Sequence, residues 1–298
     1  MSFVQRLPRR VSVVEVGPRD GLQNEPDLVP IEAKIRFIES LANAGLREVE
    51  ATSFVSPKAV PQLADALEVM QRIERRPGTR YSVLVPNERG LERAIEAGCD
   101  AIALFTAASE AFSQANVRAT IDETFERFTP VASRARAAGF YLRGYVSTAL
   151  NCPYSGPVSP ANVVDVTRRL FELGCDEVSL ADTIGTATPA EVDRLLTAVK
   201  AEIGLDRIAL HFHDTNGLAI ANVMVGLDYG ISVFDSAAGG LGGCPFAPGA
   251  PGNLATEKLL ALLHGLEIET GVDLAAIERA VEDLRRAVPS IGSNHRRD

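Results

Sequence analysis

The chain has 298 residues, 46% of them hydrophobic and 23% charged, with a formal net charge of -9 and a pI near 5.1. That length suits either two ordinary domains or one large α/β barrel. The acidic balance argues against a general binder of nucleic acid or of anionic membranes. The four cysteines, Cys99, Cys152, Cys175 and Cys244, form no C-x-x-C pair, so neither a zinc knuckle nor a disulfide framework is expected and a reduced, cytoplasmic setting fits. Arg6, Arg9 and Arg10 interrupt the short segment before the first apolar strand, so no signal peptide or membrane span is expected there.

The first apolar strand is predicted at 11–16, with Arg19-Asp20 just beyond its end. Further strands are predicted at 48–52, 81–85, 101–105, 142–147, 177–181, 208–213 and 233–236, and helical patterns lie between them at 32–44, 121–138, 160–173, 189–203 and 219–229. One junction recurs along this series: a helical stretch ends in glycine and an apolar strand follows within a few residues. It occurs at Ala44-Gly45-Leu46, Ala97-Gly98-Cys99, Ala138-Gly139-Phe140, Leu173-Gly174-Cys175, Ile203-Gly204-Leu205 and Tyr229-Gly230-Ile231. Glycine suits the left-handed conformation that commonly ends a helix, so each copy reads as a helix stop feeding a strand. Eight strands alternating with helices predict an α/β fold closed into a (β/α)8 TIM barrel. A doubly wound open sheet is the alternative, but no G-x-G-x-x-G turn follows the first strand. A helix over 253–265 and another over 274–287 complete one catalytic barrel domain over 1–298, with a C-terminal helical extension from about 266 to 298.

In such a barrel the active site lies at the C-terminal ends of the strands, so polar residues there form one group. His211 and His213 close an apolar run and point the same way from their strand, a plausible two-point metal grip ahead of Asp214. The alternative is a pair of hydrogen-bonded histidines. Asp20 would add an oxygen ligand, and the mixed oxygen and imidazole set suits Mg or Mn, or else Zn. Arg19 could stabilise a developing enolate, although Arg19-Asp20 also reads as a surface ion pair. Glu50 ends a strand that reads as buried, so an arginine partner is expected for it. Asp182 and Thr183 end the sixth strand. The run from Gly239 to Gly252 is glycine-rich, as a lid would be, and carries Cys244, either a proton donor or an inert loop thiol. Asn253 follows as a helix cap or as an oxygen ligand.

These motifs together resemble the metal-dependent barrel lyases that act on 3-hydroxy-3-methylglutaryl-CoA. The resemblance runs from about Val14 to Gly271. It is carried by Val16-Gly17-Pro18-Arg19-Asp20-Gly21-Leu22-Gln23-Asn24-Glu25, Thr52-Ser53-Phe54-Val55-Ser56-Pro57-Lys58, Arg143-Gly144-Tyr145-Val146-Ser147, Asp182-Thr183-Ile184-Gly185, His211-Phe212-His213-Asp214-Thr215 and Gly240-Leu241-Gly242-Gly243-Cys244-Pro245. It implies a divalent cation, Mg or Mn, on Asp20, His211, His213 and Asn253. It implies catalytic roles for Arg19, Asp20, Glu50, Asp182 and Cys244, and substrate contacts from Arg19, Gln23, Asn116 and Thr183. The implied reaction is retro-Claisen cleavage of an acyl-CoA to acetyl-CoA and acetoacetate, by a homodimer with no nucleic-acid or membrane partner.

The chain departs from that family pattern at Asn216, where an aromatic residue is common, at Ala59, where tryptophan is common, and at Gln114-Ala115, where a basic pair often helps hold CoA. Ala238, Gly239 and Phe246 also vary. A longer-branched 3-hydroxy-3-alkylglutaryl-CoA is therefore the alternative substrate. A Claisen condensation synthase is a rival activity, but such enzymes usually carry Gly-Glu-Arg after the last strand. A non-catalytic binding barrel would not require Asp20, His211, His213, Asn253 and Cys244 together.

Overall fold

The computed structural model describes residues 4–242 and 252–291. Eight strands form the barrel: β1 (Ser12–Glu15), β2 (Glu48–Ser53), β3 (Arg80–Leu84), β4 (Ala101–Ala107), β5 (Tyr141–Ser147), β6 (Glu177–Asp182), β7 (Ile208–Phe212) and β8 (Val233–Ser236). All pair in parallel with their sequence neighbours, and β8 closes on β1, so the closed-barrel expectation holds and the open sheet does not. Every residue of β2 and β7 is buried, as expected for strands covered on both faces.

Around the barrel run α1 (Ile31–Asn43), α2 (Ala66–Arg72), α3 (Glu88–Glu96), α4 (Glu110–Val117), α5 (Ile121–Ala137), α6 (Pro160–Glu172), α7 (Pro189–Glu202), α8 (Ala219–Asp228), α9 (Thr256–Gly265) and α10 (Leu274–Ala287). Local chemistry fixes several of their starts. Thr120 with Glu123, and Thr188 with Glu191, form reciprocal capping boxes that satisfy backbone N–H groups left over at the first turns of α5 and α7. All six junction glycines adopt positive φ, between 64° and 104°, the conformation that lets each helix stop and the chain turn back into the barrel. The C-terminal helix α10 packs on α1, outside the barrel.

One expected boundary is corrected. Asn253 does not begin or cap a helix; α9 starts at Thr256, because the backbone of 252–254 is drawn into pairing with the end of β7.

Candidate active site

The strand ends open into a cavity of about 740 Å³ whose walls include Arg19, Asp20, Gln23, Asn116, Thr183, His211 and His213. Arg19 and Asp20 reach it from a π-helical turn, Gly17–Gly21, in which the N–H groups of Arg19, Asp20 and Gly21 all donate to the Val16 carbonyl. The wider turn brings two successive charged side chains to one mouth, and such turns recur at functional sites.

The two imidazoles leave the end of β7 with ring centroids 5.2 Å apart. One donor atom from each of Asp20, His211 and His213 lies within 4.8 Å of the others, the one such metal-capable group found among the described residues. His213 Nε2 is 3.8 Å from Asp20 Oδ2. Behind His211, its Nδ1 lies 3.2 Å from Oδ2 of the buried Asp235. Burial opposes charge on Asp235, but Arg143 and His211 outweigh it and hold the carboxyl down at about 2. An ionised carboxylate only accepts, so His211 Nδ1 is the donor in this contact and Nε2 is the nitrogen that would face a cation.

Asn253 joins this group through the backbone. Leu254 N–H donates to Phe212 O at 2.9 Å and Asp214 N–H to Gly252 O at 3.0 Å, which sets Asn253 opposite His213 in an antiparallel bridge. Its Nδ2 donates to Asp20 Oδ2 at 2.9 Å and to Leu241 O at 3.0 Å. Its Oδ1 is buried with no hydrogen-bond partner among the described residues. Leaving such an oxygen unsatisfied costs ~1–3 kcal/mol, and a hard cation beside it would remove that cost. The donor set of carboxylate, amide oxygen and two imidazoles therefore fits a divalent cation. Asp214 is turned elsewhere: it accepts the Ala219 N–H at the start of α8 and pairs with Lys258 at 2.9 Å.

The arginine side of the site is equally constrained. Arg19 Nε and Nη2 both lie 2.7 Å from Glu50 Oε2, and Nη1 lies 2.6 Å from Asp20 Oδ1. Burial alone would weaken the guanidinium's charge, but Glu50 and Asp20 outweigh it and raise its pKa above the ordinary value. Burial likewise opposes charge on Asp20, yet Arg19 and the two imidazoles hold its carboxyl well below the usual carboxylate range. Glu50 is thus the buried partner of an arginine, as its position in β2 implied. Tyr145 OH adds a 3.4 Å contact to the same Glu50 oxygen.

Asp182 differs from its neighbours in β6. Ala181 and Thr183 line the cavity, whereas the Asp182 carboxylate accepts the Ala187 N–H at 3.0 Å and so shapes the loop after the strand. Burial pushes its pKa up to about 6, against the pull of the loop N–H groups and His213. Thr183 Oγ1 accepts the Thr148 N–H at 2.7 Å, tying the ends of β5 and β6 together. Cys244 lies outside the described residues, but the residues described on either side of it, Gly242 and Gly252, meet beside Asn253. A side chain at Gly242, whose φ is 106°, would fall 2.7 Å from Asn253 Nδ2, and one at Gly252 would strike the Gly242 backbone.

Sequence reasoning missed Arg143, Asp235 and Glu15. Each is a charged residue inside a strand that is otherwise apolar or small, and that was the available signal, because a charge in a buried strand demands a partner. Glu15 accepts from Gly17 N and Ala238 N, both at 2.8 Å, and from Thr256 Oγ1 at 2.7 Å. It pins the Arg19-Asp20 turn to the start of the glycine-rich run and to α9.

Residues 10–284 match the family model described as HMGL-like. The mitochondrial hydroxymethylglutaryl-CoA lyase of Rattus norvegicus is 52% identical over 96% of this chain and 88% of its own length. The crystal structure of hydroxymethylglutaryl-CoA lyase from Pseudomonas aeruginosa superposes with a TM-score of 0.95 at 50% identity, covering 98% of this chain and 97% of that one. An HMG-CoA lyase from Acinetobacter baumannii, solved with coenzyme A and 3-methylmalate, superposes with a TM-score of 0.89 at 38% identity over 97% of this chain and 93% of its own. Barrel, the meeting of Asp20, His211 and His213, and similarity over nearly the whole chain agree: the protein belongs to the HMGL-like family, among the hydroxymethylglutaryl-CoA lyases.

Proposed function

We propose that this chain cleaves 3-hydroxy-3-methylglutaryl-CoA into acetyl-CoA and acetoacetate. The observation that carries the reading is the meeting of Asp20, His211, His213 and the unsatisfied Asn253 Oδ1 on one side of the cavity, with the charged Arg19 beside them. A divalent cation held there, which we assign as Mg or Mn, would supply Lewis acidity to the tertiary alcohol oxygen and offset the weak basicity of Asp20.

Asp20 is the only carboxylate lining the cavity among the described residues. It stands in the group with His211 and His213 at the cavity wall, so the hydroxyl proton of the substrate is assigned to one of its oxygens by position. The C2–C3 bond then breaks, C3 becomes the ketone of acetoacetate, and the electron pair moves into the thioester as an enolate. Arg19, already oriented by Glu50 and Asp20, places its guanidinium against the enolate oxygen without having to reorganise. A proton on C2 completes acetyl-CoA, and Cys244 is its donor in this reading, two residues beyond Gly242 in the chain. Gln23, Asn116 and Thr183 are assigned to substrate contacts from the wall, and Asp182 to shaping the loop that carries Thr183. Arg127 also lies on the lining and suits the anionic end of CoA.

Ala59 lines the cavity where a bulkier residue would narrow it, which favours a longer-branched 3-hydroxy-3-alkylglutaryl-CoA as the second reading. A panel of 3-hydroxyacyl-CoA substrates differing at C3, assayed for acetyl-CoA with the Asp20→Asn variant as control, separates the two. The first reading requires the methyl compound to have the highest kcat/KM; no acetyl-CoA from any member would end both. Cys99, Cys152 and Cys175 are free and buried, which suits a reducing compartment, and the cytoplasm is the setting we assign. No helix among the described residues is long and apolar enough to cross a membrane. The assembly we assign is a homodimer, which sedimentation would read as twice the 31.8 kDa chain.

A further inference from the structure

We propose that Arg143 is a positioning residue that holds both halves of the site at once, the cation-ligand half through Asp235 and His211 and the arginine half through Tyr145 and Glu50. Its kinetic half rests on the cleavage reading above; its cation-binding half rests on the ligand cluster alone.

Arg143 lies in β5, has no exposed surface, and does not line the cavity. Every nitrogen of its guanidinium is engaged. Nε donates to Glu177 Oε1 at 2.8 Å, Nη1 to Tyr145 OH at 2.6 Å, and Nη2 to Asp235 Oδ1 at 2.6 Å. The other Asp235 oxygen, Oδ2, takes Ser179 Oγ at 2.9 Å and His211 Nδ1 at 3.2 Å, so the ring of a cation ligand is two contacts from Arg143. On the opposite side Tyr145 OH passes its own proton toward Glu50 Oε2, the oxygen that grips Arg19.

The guanidinium is a rigid planar fork, so the directions of its three nitrogens are fixed relative to one another. Asp235 in β8 and Tyr145 in β5 are therefore held in one frame, with Glu177 in β6 as the anchor. A hydrophobic residue of similar volume often stabilises a core as well as a buried ion network does, so stability alone does not call for this arrangement. Holding the two halves in register does call for it. A lysine would keep the charge, but its three N–H donors radiate from one atom and cannot take the three separate directions of the guanidinium fork.

The test compares Arg143→Lys, Tyr145→Phe, Asp235→Asn and the Arg143→Lys/Tyr145→Phe double variant in the full chain. The readouts are Mn2+ affinity by calorimetry without substrate, and kcat and KM on 3-hydroxy-3-methylglutaryl-CoA. Partners behind metal ligands typically contribute ~10- to 100-fold in affinity or activity, so Asp235→Asn should weaken Mn2+ binding by that factor. Tyr145→Phe should lower kcat and leave Mn2+ affinity near wild type. Arg143→Lys should lower both, and adding Tyr145→Phe to it should cost little more in kcat. Wild-type Mn2+ affinity in Arg143→Lys would overturn the proposal, as would an undiminished Tyr145→Phe effect in its background. If Arg143→Lys does not fold, Glu177→Gln loosens the anchor without touching ligand or cavity; it should lower Mn2+ affinity several-fold, and a wild-type value would overturn the proposal. Wild-type protein that binds Mn2+ but releases no acetyl-CoA refutes the cleavage reading instead, and the Mn2+ comparison still decides this one.

Discussion

Replacing Glu50 by glutamine tests the arginine half of the site with almost no change in volume. Glu50 is fully buried and takes two Arg19 nitrogens on one oxygen at 2.7 Å. The glutamine carbonyl still accepts from the charged guanidinium, so what is lost is the carboxylate's share of a charge-assisted pair worth ~1.5–3 kcal/mol, a loss of about 1–2 kcal/mol. The larger penalty of ~3–5 kcal/mol for a stranded buried charge is avoided, because Arg19 keeps Asp20 at 2.6 Å. Arg19 is assigned to charge that develops only during bond breaking, so the loss should fall on kcat, by roughly 5- to 30-fold. Acetyl-CoA release at saturating substrate, with Mn2+ affinity measured alongside, reads it. A kcat within twofold of wild type, or an equal fall in Mn2+ affinity, would refute the assignment of Glu50 as the orienter of Arg19.

Two further outcomes are expected. Burial pushes the Glu15 carboxyl from 4.5 up to about 8, against the pull of the Ala238 N–H, Thr256 and the Gly17 N–H. Between those values it is neutral when folded and ionised when unfolded, so stability falls as pH rises through that window, by up to about 1.4 kcal/mol per pH unit. Glu15→Gln removes this slope, since an amide oxygen can accept from Gly17 and Ala238 while its NH2 faces Thr256; parallel melting profiles for wild type and variant from pH 5 to 8 would contradict it. Cys244→Ser should fold and bind Mn2+ as wild type while turning over ~10²- to 10⁴-fold more slowly, the range of a lost proton donor, and unchanged turnover would remove the thiol from the chemistry.

The parts of the protein legible in the sequence were those with local causes. Six glycines ending helices marked the barrel because each positive-φ stop is required by the turn beside it. His211 and His213 were legible because strand periodicity alone puts them on one face. Asp20 and Glu50 followed once the strands were ordered. For Asn253 the sequence offers a helix cap or an oxygen ligand and does not decide between them, because its place is set by backbone pairing with the end of β7, a contact no local pattern announces. Arg143 and Asp235 are 92 positions apart and meet only across the closed barrel, so the sequence showed two charges in buried strands but not that they answer each other. The parity of β6 between Ala181 and Thr183 was sufficient to turn Asp182 away from the cavity wall, although its charge suggested otherwise.

Cation-dependent cleavage of 3-hydroxy-3-methylglutaryl-CoA is proposed at the Asp20, His211, His213 and Asn253 cluster. Its most direct test is acetyl-CoA release by chelator-stripped protein before and after Mn2+ or Mg2+ is returned. No release is expected from the stripped protein and recovery on adding either cation, with Asp20→Asn inactive throughout. Full activity in the stripped protein would contradict it.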